Sequence, residues 1–171
     1  MTSMREDDKP WKTDLAQKSK QRRENVLQEV EEGIKKASSF EDALRVTVEI
    51  MKRRFARYSA ITAYVADGED LAVHTTLERP AGPERVWSGG GPLAEVAHGH
   101  ATSVVADVST QPAWAGVGLA KGSVMVSPIR TEAGLWAILE VWSDFRDAFT
   151  SHDIKLIDKV VAALARKTPA A

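Results

Sequence analysis

The apolar residues of this chain pass from helical to strand-like spacing near residue 58, and that change bounds the fold more tightly than any other feature. Before it, Val26, Val30, Ile34 and Ala37 recur at intervals of four and three, which makes one narrow stripe on a helix. Leu15 and Leu27 extend the stripe imperfectly. Ala43, Leu44, Val46, Thr47, Ile50, Met51 and Phe55 continue at helical spacing. After it, residues 59–66 and 71–77 read as two strands joined by the turn Asp67-Gly68-Glu69-Asp70, the second alternating apolar and polar. A chain that opens in helices, passes through short strands and closes on a helix is α+β, built around one antiparallel sheet.

The remaining elements follow from local signals. Residues 1–12 read as a mobile N-terminal tail, and 13–37 as an N-terminal helix for packing or dimerisation. Residues 38–168 form the main domain. Ser39 suits the N-cap of a second helix over 39–56, with Asp42 three residues on. Residues 84–87 make a short strand. Ser88-Gly89-Gly90-Gly91-Pro92 breaks regular structure before a short helix over 93–99. A strand at 102–106 leads into a long connection, 107–122, of the length that is usually functional or mobile. Strands at 124–131 and 135–143 flank Glu132-Ala133-Gly134, and Thr150 caps a last helix that runs to about 167.

Composition removes whole classes of chemistry. The 171 residues contain no Cys, so they supply no disulfide, thiolate ligand or cysteine nucleophile. With 23 Lys/Arg against 24 Asp/Glu, no bulk basic field points to nucleic acid. No apolar run reaches the ~20 residues of a membrane span. The N-terminus lacks the apolar segment of a signal peptide, so a cytoplasmic protein is expected.

Several segments, in order, resemble the GAF domain family. Phe40 to Phe55 is similar to that family's opening helix and Ser59 to Ala66 to its first strand. Gly89-Gly90-Gly91-Pro92-Leu93-Ala94-Glu95-Val96-Ala97 resembles the entry to its short helix. Val104-Val105-Ala106-Asp107-Val108-Ser109, with Pro112 and Trp114, resembles a strand and the Asp-Val-Ser loop after it. Ser123 to Ile129, Leu135 to Val141 and Phe149-Thr150-Ser151-His152-Asp153 resemble the last strands and the capped final helix. The resemblance implies a central antiparallel sheet of five to six strands with two to three helices on one face. A short helix plus the long loop would cover a small-molecule pocket on the other.

The family's chemistry can be tested on these residues. Covalent bilin attachment needs a Cys and is excluded. The family's reductases of free methionine sulfoxide attack sulfur with a thiolate, which this chain lacks. In cyclic-nucleotide binders an Asn-Lys pair stands where Trp142-Ser143 stands here, and Ile154 replaces their Glu. His98 and His100 are too isolated for a metal site. On the last strand, Trp136, Ile138, Glu140 and Trp142 share one face, and Leu135, Ala137, Leu139 and Val141 the other. An acid between two indoles suggests an aromatic pocket that could hold an amine or a cation. Alternatively Glu140 reaches solvent or pairs with Arg130. Tyr64, Trp87, Trp114, Arg130, Trp136, Glu140 and Trp142 are the candidate ligand-binding residues.

The expectation from sequence is therefore a non-catalytic sensory or regulatory domain, not an enzyme. It would bind an unidentified small molecule, with no cofactor or metal assigned. The alternative is a ligand-free dimerisation module with a self-filled pocket. A homodimer through the helices and a separate output protein are the expected partners, with no nucleic acid and no membrane.

Overall fold

The computed structural model of the chain describes residues 10–78, 85–87, 91–117 and 121–169. Most of the stretch read as a tail, residues 1–9, lies outside them, as do Gly89 and Gly90. The order is α1 (Pro10–Lys36), α2 (Phe40–Arg54), β1 (Ala60–Asp67), β2 (Asp70–Leu77), β3 (Arg85–Trp87), α3 (Ala94–His98), β4 (Ser103–Val105), two 3-10 helices (Val108–Thr110 and Pro112–Val117), β5 (Ser123–Thr131), β6 (Gly134–Ser143) and α4 (Ser151–Ala165). The six strands form one sheet in the order β3-β2-β1-β6-β5-β4, antiparallel at every pairing. The fold is α+β. The connection read as a structureless loop holds the two 3-10 turns, because Asp107 caps the first of them by accepting from the Ser109 N–H.

Local chemistry sets the helix ends. The Ser39 hydroxyl accepts from the Asp42 N–H at 3.0 Å, and Asp42 accepts from the Ser38 N–H at 3.1 Å. That satisfies donors the helix leaves open. At α4, Thr150 and Asp153 form a reciprocal capping box. Asp153 is 1% exposed and also accepts from the Tyr58 hydroxyl at 2.6 Å and from Arg57. The start of α4 is thereby tied to the chain entering β1.

The sheet divides the core in two. On one face α1, α2 and α4 bury Val26, Val30, Ile34, Leu44, Met51, Ile157 and Val160 against Ile61, Met125, Leu139 and Val141. The stripe on α1 that suggested a second subunit is thus covered within the chain, with Val26 and Val30 fully buried. Gly33 permits the close approach of α1 to α2: a Cβ there would lie 2.7 Å from Val46 Cγ1. On the other face, α3 and the 3-10 segment cover Ala60, Tyr64, Leu71, Val124, Val126, Ile138 and Trp142.

Pro128 sits mid-strand in β5 without disrupting the sheet. β4 begins at Ser103, opposite Val126, so its pairing stops short of Pro128 and requires no N–H from it on that side.

Candidate functional site

The site is built on the three central strands. Glu140 of β6 lies between Thr62 of β1 and Val126 of β5, and Trp142 lies between Ala60 and Val124. All four neighbours are on or beside the face covered by α3, because side chains two residues apart on a strand point the same way. Glu140 is 0% exposed. Its Oε1 accepts from the Trp142 indole Nε1–H at 2.5 Å, and from the Tyr64 hydroxyl at 3.3 Å. Trp114, from the second 3-10 helix, stands edge-on to Trp142 with ring centroids 5.4 Å apart. Leu93, Val96 and Ala97 of the α3 region and Val108 complete the apolar cover.

This arrangement explains how an acid sits in an apolar layer. A carboxylate accepts only, and both donors here are neutral groups attached to aromatic rings. These hydrogen bonds meet part of the cost of burying the group. The surrounding indole and phenol rings present π-faces and edges. The site therefore combines a buried carboxyl group, aromatic walls and low polarity, a combination suited to a small cation bearing an apolar body.

Four of the seven candidate residues converge: Tyr64, Trp114, Glu140 and Trp142. Three stand apart. Trp136 is on the helix-covered face, edge-on to Phe40 at 6.0 Å, and its indole donates to Thr131 Oγ1 at 2.8 Å. The cause is a bulge in β6. Ile129 pairs with Ala137 and Arg130 with Leu135, so Trp136 has no partner in the register and the faces exchange. Leu135 takes the pocket side instead. The Arg130 guanidinium donates to the Ala97 carbonyl at the end of α3. Trp87 pairs through its backbone with Asp70, and its side chain lies outside the described residues.

The reading that Glu140 reaches solvent is also corrected by its full burial. Sequence reasoning missed Thr62, which meets Thr76 hydroxyl to hydroxyl at 2.9 Å beside the site. It also missed Leu93, whose place under Pro92 in the short-helix segment was the available signal. His74, on β2, donates from Nε2 to the Glu41 carbonyl at 2.9 Å. Asp107, at the edge of the cover, is held below the usual carboxylate range first by the Ser109 hydroxyl.

No protein-family model and no curated protein matches the sequence. Solved structures do match. A free methionine-R-sulfoxide reductase from Neisseria meningitidis, solved with its substrate, is 20% identical, with a TM-score of 0.76 over 85% of this chain and 87% of that one. A putative GAF sensor protein from Burkholderia vietnamiensis is 18% identical, with a TM-score of 0.75 over 86% and 94%. The GAF domain of a phosphoenolpyruvate-protein phosphotransferase from Coxiella burnetii is 16% identical, with a TM-score of 0.73 over 86% and 92%. The chain has a GAF-like fold.

The same comparison overturns the expectation of a non-catalytic domain that is not an enzyme. Several of the similar structures are free methionine-R-sulfoxide reductases, which are enzymes. The GAF-like fold of this chain is one on which catalysis occurs. Among the described residues, no helix is long and apolar enough to cross a membrane.

Proposed function

We propose that this chain recognises a small ammonium-bearing molecule of the free-amino-acid class on the α3-covered face of its sheet. One observation carries the reading: the buried Glu140 carboxylate, flanked by Trp142, Tyr64 and Trp114. Free methionine sulfoxide, the molecule named in the reductases, is an ammonium-bearing metabolite of that class. Its ammonium would lie near Glu140 and its side chain against the indoles.

The reductase reaction is not transferred along with the fold. Reducing a sulfoxide by the thiol route converts two thiols to a disulfide and releases water. The 171 residues hold no Cys, so both thiols would have to come from an external molecule. The absence of Cys also suits a reducing compartment, and a cytoplasmic location goes with this reading.

The α3 segment and the 3-10 turns pack directly on Trp142 and Tyr64, so entry requires this cover to move. The Arg130 bond to Ala97 is the latch on its α3 side.

The test is calorimetric titration of the full chain with free amino acids, their oxidised forms and the matching N-acetyl derivatives. Saturable binding that disappears on N-acetylation and in Glu140→Gln is expected. Equal binding of free and acetylated forms, or no binding across the panel, would overturn the proposal. The best binder, incubated with an external dithiol, is then followed by mass spectrometry for loss of its oxygen.

A further inference from the structure

We infer that the groove between α1 and α4 is a second binding site, for a small molecule carrying two or more phosphate groups. The groove has a volume of about 690 Å³, which is metabolite-sized. Lys20 and Arg23 line it from α1, Lys155 and Lys159 from α4, and Arg57 from the segment before β1. Against these five cations the lining holds one carboxylate, Glu24. The chain as a whole has a net charge of −1, whereas the lining of this groove is net positive.

Arg23, Lys155 and Lys159 make no ion pair among the described residues. Lys20 is 4.0 Å from Glu24 with both side chains largely exposed, a pair too weak to neutralise it. Only Arg57 is committed, to Asp153. On α2, by contrast, Arg45 is matched with Asp42 and Glu49, Lys52 with Glu78, and Arg53 and Arg54 with Glu29.

Helix spacing organises them. Lys155 and Lys159 are one turn apart on α4, and Lys20 and Arg23 about one turn apart on α1. Like charges so placed repel one another, and a polyanion relieves that repulsion. Arg23 offers a planar fork suited to phosphate oxygens, and the lysines offer point charges. The apolar floor is short, made chiefly by Leu27 and Leu156. That favours a compact polyanion over a docked helix, which needs a long apolar row.

The experiment titrates the full chain with inorganic triphosphate and with ADP by calorimetry, at low and at raised salt. Both are expected to bind saturably and to weaken as salt rises. The double variant Lys155→Gln/Lys159→Gln should bind about tenfold more weakly. The double variant Lys36→Gln/Lys121→Gln, which removes the same charge from exposed positions outside the groove, should bind as the parent does. All four side chains are exposed, and unchanged melting temperatures will show that the variants fold. Equal weakening in the two variants would reduce the effect to net charge and overturn the site. So would the absence of saturable binding, or binding of an oligoglutamate peptide but of neither phosphate. This groove shares no lining residue with the Glu140 site, so either proposal can fail alone.

Discussion

Trp142 donates its indole N–H to the carboxylate of Glu140, two residues back on the same strand, at 2.5 Å. The two side chains share a face because β6 has regained regular alternation after its bulge. Both are fully buried. The strand therefore presents an acid and its donor as a single unit, with Tyr64 closing it from β1.

The two ways of altering Glu140 should separate. Glu140→Ala leaves the Trp142 N–H and the Tyr64 O–H without their acceptor and should cost about 2–3 kcal/mol. Glu140→Gln keeps an acceptor oxygen of the same shape and should cost less. Urea denaturation of the three proteins at neutral pH measures this. Equal losses would mean that the donors find other acceptors.

The two tryptophans of β6 should also part company. Trp142→Ala should abolish binding of the ammonium ligand. Trp136→Ala should leave ligand affinity unchanged while lowering stability by roughly 2–3 kcal/mol, since it packs on Phe40 across the helix-covered face. Titration and denaturation of both variants check the assignment of faces. Loss of binding in the Trp136 variant would place it back at the site.

Tyr58 links structure to alkaline pH. Burial first, and then the adjacent Asp153 carboxylate, push its phenol far above the usual tyrosine value. In the unfolded chain the phenol ionises near 10. The unfolded state then binds fewer protons than the folded state above about pH 10, so stability falls as pH rises beyond that point. Below it the contribution is fully present. Denaturation curves between pH 8 and 11 should show this fall, and Tyr58→Phe should lessen it. A slope unchanged by that substitution would assign the effect to other groups.

Two glycines offer a controlled comparison. Gly122 and Gly134 both have positive φ, +97° and +119°. A Cβ on Gly122 would lie 2.0 Å from the Ser143 carbonyl oxygen, whereas one on Gly134 meets nothing within 4 Å. Gly134→Ala should cost about 1–2 kcal/mol from backbone strain alone. Gly122→Ala should cost clearly more, because β5 and β6 must separate at their shared end. Melting temperatures of the two variants decide it.

The elements themselves could be read from the chain because their signals are local. The Ser39 cap, the Thr150–Asp153 box, the helical spacing of Val26, Val30 and Ile34, and the alternation in β2 all act within a few residues. So did the acid between aromatic rings that drew attention to Glu140. What could not be read depends on partners far along the sequence. The bulge that sends Trp136 to the opposite face is set by pairing between β5 and β6. The donors to Glu140 could have been any polar neighbours, and Tyr64 is one only because β1 lies beside β6.

Assembly of the helical layer was equally hidden. The stripe on α1 announced that it needed cover, without saying whether another subunit or its own α2 and α4 would provide it. The same packing brings Lys20 and Arg23 alongside Lys155 and Lys159, more than a hundred residues away. The sequence by itself determined the elements, their caps and the absence of thiol chemistry, since each follows from short-range sterics, hydrogen bonding and composition. Only the tertiary structure decided which side chains meet, because strand register and helix packing are settled by contacts between segments that the linear order keeps apart.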